Sequence, residues 1–296
     1  MTGHFEVHGW LRLKYIGGSN SNTSLGQFEV YPRVKLMKLR NSKCLFLECN
    51  EKAINSHIIS KGVLKRIAKN GHVNWLFKNK SQSSIAQTYT FPAFCSEHDR
   101  CLFEEIDKKT YQVGDIKQQF LYFYRTYAGE LVRQEKKRAF IEKERYFTDG
   151  KNIIMFNSPP QYLRSQNKYL REKFDVLSKL LVANDYNSIE SYIIVFDKPY
   201  PLCVCQYLSM DYDFDRNPIS EVKNGISLVV FPQDDKTYAI ISWLTEDTQK
   251  FSFISKTFSK LNQEDKKILL SMLILNGCQN IAFNIDYCVY AAAKCQ

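Results

Sequence analysis

All five histidines of this chain and four of its nine cysteines fall within the first 101 residues, and none of the remaining 195 residues is a histidine. Cys44, Cys49, His57, His72, Cys95 and His98 share one stretch of 55 residues. Cys and His bind zinc and transfer protons near neutral pH, so this end of the chain is where metal or acid–base chemistry is to be sought. The pairing within the stretch is the strongest constraint on its fold. Cys44-Leu45-Phe46-Leu47-Glu48-Cys49 is a C-x4-C pair and Cys95-Ser96-Glu97-His98 a C-x2-H pair. Two close pairs of soft or borderline ligands suit a closed tetrahedral zinc site. The long segment between them is tolerable because loop-closure cost rises slowly with length, and a bound ion would stabilise it. Cys101, three residues past His98, is an alternative ligand to Cys95. His72 is either a further ligand, a site residue or a loop histidine.

The rest of the composition sets bounds. A chain of 296 residues with 44% hydrophobic side chains can bury a full core as two domains or as one with an appendage. No run nears the roughly 18 apolar residues that span a bilayer, and the N-terminus lacks the basic and apolar regions of a signal peptide. The expectation is a cytoplasmic protein with no membrane association, whose thiols stay reduced and whose paired cysteines serve as metal ligands. A formal charge of +10 with pI near 9.0 favours polyanions, nucleic acid first among them; a protein partner is left open.

Periodicity outlines the remainder. Trp10 to Ile16 alternates like a strand, Gly17 to Asn22 is a turn or loop, and residues 27–39 read as another strand or two. Residues 63–71 look like a short helix ended by Asn70-Gly71, and Ser81 to Ser84 like a loop. A long helix is expected over about 115–146, from Ile116, Phe120, Phe123, Tyr127 and Leu131 at three- and four-residue steps, with Asp115 as its N-cap. Its half from Arg133 to Arg145 holds six basic and three acidic residues, to be read as a solvated face with i,i+4 pairs or as a phosphate-binding face. After Pro159-Pro160 a second helix, about 162–184, can pair with it as a hairpin. Strands follow at 191–196, 225–231 and 238–243, the last two joined by a hairpin turn at Phe231 to Lys236, and a helix opens at Asn262 and stops at Asn276-Gly277. Asp211, Asp213 and Asp215 form an acidic run read as a solvated turn. Cys203 and Cys205 are placed on opposite faces of a strand, which would argue against a shared metal.

Between the two ligand pairs lies Asn55-Ser56-His57-Ile58-Ile59, a histidine ahead of two β-branched residues. With the flanking pairs, this arrangement resembles the HNH family of metal-dependent nucleases, whose unit is a ββα zinc finger of treble-clef type. The resemblance covers about 65 residues. It matches Cys44, Cys49, Cys95 and His98 to the zinc ligands, His57 to the general base that activates water, Asn74 to the asparagine that orients that base, and Asp99 to the place where the family has His or Asn. Ser56 stands where the family has a metal-binding acid, and Phe103 where it has a final histidine ligand; Asp99, Glu104 or Glu105 would have to replace them around a catalytic Mg²⁺ or Mn²⁺. The fold class so implied is α+β: a zinc-binding HNH-like ββα module over 1–110, a helical hairpin connector over 111–188, and an antiparallel α/β domain over 189–296. The function implied is a zinc-stabilised endonuclease acting on nucleic acid, with an anti-phage role suggested by the family's bacterial members. The competing reading is a non-catalytic zinc-finger adaptor or regulatory protein that binds nucleic acid or protein. A third is a cysteine hydrolase using Cys95 or Cys101, which demands an exposed thiol of low pKa.

Overall fold

The structure, a computed structural model, describes residues 2–7, 11–16, 42–76, 82–144, 146–149, 152–155, 161–219 and 225–286. Among them, the strands are β1 (Thr2–Val7), β2 (Leu11–Ile16), β3 (Asn55–His57), β4 (His72–Trp75), β5 (Gln82–Ser84), β6 (Thr90–Pro92), β7 (Tyr146–Asp149), β8 (Asn152–Met155), β9 (Ile189–Phe196), β10 (Leu202–Leu208), β11 (Ile226–Gln233), β12 (Lys236–Leu244) and β13 (Ile281–Phe283). The α-helices are α1 (Lys61–Ile67), α2 (Ser96–Lys108), α3 (Ile116–Glu144), α4 (Gln161–Val182), α5 (Thr248–Lys260) and α6 (Gln263–Gly277). The mixture of helices and antiparallel sheets is the α+β class expected. Residues 17–22 and 27–39 lie outside the described residues.

One seven-stranded antiparallel sheet, in the order β5-β4-β13-β10-β11-β12-β9, organises the molecule. Its central strands β10 and β11 are buried along their whole length, so neither can show the polar alternation of a half-solvated strand. Their two faces still divide by period two. Val204, Leu228, Val230, Ile241 and Trp243 pack against Phe251, Ile254 and Phe258 of α5 and Leu270 and Ile274 of α6. On the other face Cys203, Cys205, Tyr207, Val229, Phe231 and Ile240 join a core with residues of α1, α2, α3 and α4. Cys203 and Cys205 are thus on the same face, as a two-residue step along a strand requires, and the expectation of opposite faces is corrected. Both are fully enclosed in this core, which pushes their thiols up, Cys205 to about 11.

The caps explain where the helices begin. Asp115 accepts from the Gln118 N–H at 3.0 Å, and Asn262 from the Asp265 N–H at 3.0 Å, each meeting an otherwise unpaired donor of a first turn. Ser60 caps α1 through the Gly62 N–H. Helices α3 and α4 run antiparallel: Phe120 meets Tyr186, Tyr124 meets Ser178 and Phe174, and Glu135 meets Arg171. Arg133 in the basic half of α3 is tied to Glu130, and burial lowers the Lys136 ammonium. Residues 133–140 of that half are half-buried or buried, so this part is not an open phosphate face.

Short elements that look like loop in the sequence are sheet in the structure. β5 forms at Gln82–Ser84, and β4 joins the sheet edge through β13, Ala282 opposite Trp75. Trp75 stacks on Tyr89 at 3.9 Å, and the Tyr89 hydroxyl donates to the Ile281 carbonyl at 2.6 Å. Strands from the segments 1–110 and 189–296 therefore share this sheet, and helices of the segment 111–188 pack into the core on one of its faces. The acidic turn at 211–217 is closed on itself: Asp213 accepts from the Asp215 and Asn217 N–H groups and from the Asn217 amide, which holds its carboxyl below the usual range.

One buried ion pair locks α2 to α3. The Arg125 guanidinium, almost wholly buried, donates to both oxygens of Asp107 at 2.7 and 2.8 Å and lies 4.0 Å over the Phe103 ring. Removing one partner of a buried pair strands the other charge. Asp107→Asn is expected to cost about 2 kcal/mol in a urea titration, below the full buried-pair penalty because Asp107 is one-third exposed. An unchanged midpoint would show that water, and not Asp107, solvates Arg125.

Candidate metal centre

Residues 42–44 and 51–53 come together through the Cys44 N–H to Glu51 and Ala53 N–H to Ser42 hydrogen bonds, with Lys43 bridged to Lys52. The chain between them doubles back at Phe46-Leu47-Glu48-Cys49, where the Cys49 N–H donates to the Phe46 carbonyl at 3.2 Å and Glu48 takes a φ of 56°. This tight turn points Cys44 and Cys49 to one side. The Leu45 N–H reaches the Ala93 carbonyl at 2.7 Å and the Ile54 N–H the Phe94 carbonyl at 2.8 Å. These bonds bring the turn against the start of α2, where Cys95 is the N-cap and His98 sits in the first turn. β3 and β6 pair antiparallel just beside them, His57 opposite Thr90. Phe94, fully buried against Phe103, Tyr124 and Phe174, anchors the assembly in the core.

The four expected ligands converge. One ligand atom from each of Cys44, Cys49, Cys95 and His98 lies within 4.8 Å of all the others. Cys49 Sγ is 3.9 Å from Cys95 Sγ, Cys44 Sγ is 3.5 Å from His98 Nδ1, and Cys95 Sγ is 3.2 Å from His98 Nδ1. A tetrahedral zinc ion with ordinary bond lengths needs S–S edges of about 3.8 Å and S–N edges of about 3.6 Å. The side chains thus stand where such an ion would hold them. Phe46 lies over the His98 ring at 4.4 Å, limiting its rotation. Burial pushes the Cys44 thiol up to about 12. Burial acts on Cys95 in the same sense, but the His98 N–H and the neighbouring thiols outweigh it and pull Cys95 below its ordinary value.

Cys101 stays outside the cluster. It is exposed, its thiol donates to Glu97 at 3.0 Å, and that bond raises its pKa. A raised thiol is the opposite of what a cysteine nucleophile needs. His72 opens β4, where it is exposed and its Nδ1 lies 2.8 Å from the Asn70 carbonyl, away from the ligand cluster.

His57 is half-buried at the end of β3. Its Nε2 lies 2.9 Å from the Ile85 carbonyl; a carbonyl can only accept, so Nε2 carries the proton and Nδ1 keeps its lone pair. Burial lowers the His57 pKa, and the charges of Lys61 and Arg125 lower it further, against the Ile85 bond and the carboxylate of Asp99. The sequence missed Ile85 as the group that orients this ring. Asn74 does not take that part: its amide donates to Ile285 at 3.4 Å and its Oδ1 is buried without a partner. Asp99 does lie near enough for His57 to feel it, with a buried Oδ1 that has no hydrogen-bond partner. Ser56 is 1% exposed, with its hydroxyl buried and unpartnered, and Phe103 is fully buried, so neither position carries the carboxylate or imidazole that the family's catalytic ion would need. Glu104 and Glu105 are bound to Lys108 and Lys109 along α2. Among the described residues no second group of three His, Cys, Asp or Glu side chains comes within ligand distance.

No family model, no curated protein and no solved structure matches this chain.

Two outcomes test the centre. Purified protein is expected to carry about one zinc per chain by elemental analysis, and Cys44→Ser or a strong chelator to remove it and lower the melting temperature, since binding energy at such a site is folding energy. Full stability without any metal would refute the centre. The pH arm follows from His57. Its folded pKa lies below the unfolded value of 6.5, so the unfolded chain binds more protons and stability rises with pH up to about 6.5. His57→Gln is expected to flatten that rise between the folded pKa and 6.5 in urea midpoints taken across the range; an identical slope in both proteins would mean that other groups set it.

Proposed function

We propose that the chain is a zinc-stapled nucleic-acid-binding protein whose ββα finger serves structure and recognition and not catalysis. The observation that carries this reading is the contrast between the two metal positions. The Cys44, Cys49, Cys95 and His98 atoms stand near the corners that a tetrahedral zinc ion would need, whereas the positions that would hold a catalytic ion are a buried Ser56 and a core Phe103. A tight turn, the β3–β6 pair and α2 support reading this region as a finger of treble-clef type, with residues 58–89 lying between the two strands in sequence. Fold can persist where chemistry is lost. The excess of ten positive charges supports a polyanionic partner.

The nuclease reading keeps one specific support, the geometry of His57. A neutral imidazole with Nε2–H fixed on a carbonyl and Nδ1 left free is the form a general base requires. The two readings part in one experiment. Wild-type protein and His57→Ala are incubated with double- and single-stranded DNA and RNA in Mg²⁺ or Mn²⁺, with binding and cleavage scored separately. The expected result is binding by both proteins and cleavage by neither. Divalent-dependent cleavage that His57→Ala abolishes would replace the binding reading with the nuclease.

A further inference from the structure

We propose that the exposed face of α1, carrying Lys61 and Lys65, is the surface that takes the phosphate backbone of the nucleic acid; this rests on the binding function proposed above. From Lys52 to Ser96 the chain holds seven of its 41 lysines and arginines and none of its 31 aspartates and glutamates. The charge excess of the whole molecule is concentrated in this stretch, most of which is the insertion between β3 and β6.

Helix α1 buries Val63, Leu64 and Ile67 against the sheet and α2. That leaves Lys61 and Lys65 exposed one turn apart, and among the described residues neither has an ion-pair or hydrogen-bond partner. Arg66 beside them donates to the Pro232 carbonyl, not to an acid. Helix α2 shows what an ordinary solvated face looks like here: Arg100, Lys108 and Lys109 are each matched to a glutamate three or four residues away.

The arrangement on α1 works against the helix itself. Like charges at i,i+4 repel, and a lysine in the first turn meets the positive end of the helix dipole with no acidic residue there to offset it. An anion laid along this face would relieve both conflicts. Lys256 and Lys260 on α5 supply the contrast. They are also exposed at i,i+4, and Lys260, like Lys65, lies in the last turn, but neither lies in the first, and α5 covers the opposite face of the sheet. Only Ile58, Ile59 and Ser60 separate Lys61 from His57, so a strand held on α1 would run past the candidate base.

The test compares the full-length protein with Lys61→Gln/Lys65→Gln and with Lys256→Gln/Lys260→Gln, which removes the same charge from α5. Fluorescence anisotropy with labelled DNA and RNA oligonucleotides is measured over a salt series, and circular dichroism and zinc content report on folding. The α1 variant is expected to stay folded and metal-loaded, to bind much more weakly, and to show a salt slope shallower by about 2, one unit for each phosphate no longer neutralised. The α5 variant is expected to bind like the wild type. Equal losses in both variants, or wild-type binding by the α1 variant, would overturn this surface while leaving nucleic-acid binding in place. A wild-type protein that binds neither DNA nor RNA, or that prefers an acidic polypeptide such as polyglutamate, would overturn the binding function and the surface together.

Discussion

The convergence of Cys44 and Cys49 with Cys95 and His98 is the constraint on which the arrangement of the N-terminal third depends. Forty-five residues separate Cys49 from Cys95. Closing a flexible loop of that length costs about 3 kcal/mol, whereas a structural zinc ion in a comparable site supplies about 10–16 kcal/mol. The staple can therefore hold the ends of a long insertion together with a large margin. Once its ends are fixed, the insertion needs only local reasons to order. It finds them in the sheet, where β4 pairs with β13 and β5 with β4, and in the burial of Val63, Leu64 and Ile67.

The metal cluster and the sheet are joined mechanically through α2. Cys95 and His98 lie at its start, Phe103 and Ile106 enter the core along its length, and Asp107 near its end holds Arg125 of α3. A change at the ligands is thus carried to α3 by one short helix, and from α3 to the central strands it crosses. The pair of Cys203 and Cys205 on that face adds no chemistry. Their burial keeps both thiols protonated at neutral pH, and they pack as small apolar groups.

What could be read from the sequence was whatever is decided locally. The periodicity of Phe120, Phe123, Tyr127 and Leu131 fixed α3, and Asp115 and Asn262 marked helix starts because a cap needs only residues three positions away. The ligand pairs were visible because metal spacing is a local signature. What escaped were partners distant in sequence. Three-residue strands such as β5 and β13 carry no periodicity of their own; β13 exists because β10 and β4, about 80 and about 200 positions away, pair with it, and β5 because β4 does. Helix α5, with Phe251, Ile254 and Phe258 at helical spacing, was missed among serines, threonines and aromatics, residues of modest helix propensity that tertiary packing overrides. The support of His57 escaped for a different reason. It is a backbone carbonyl, that of Ile85, and a carbonyl has no sequence identity.

The same distinction separates the two kinds of functional residue. A metal ligand is defined by its element, so Cys44, Cys49, Cys95 and His98 announce themselves by type and spacing. A general base is defined by its surroundings: a fixed tautomer, a lowered pKa and an ion or charge opposite. His57 has the first two, and Asp99, near enough to act on it, has a buried, unpartnered oxygen, but Ser56 and Phe103 are given over to the interior. A phosphodiester has to be neutralised as its transition state gains charge. Beside His57 the described residues supply cations, Lys61 and Arg125, in place of ion ligands. Arg125 is spent on Asp107 and shut in the core. Lys61 faces solvent on α1, so under the binding function proposed above the exposed positive charge acting on the candidate base would meet a phosphate backbone, in place of a metal that would cut it.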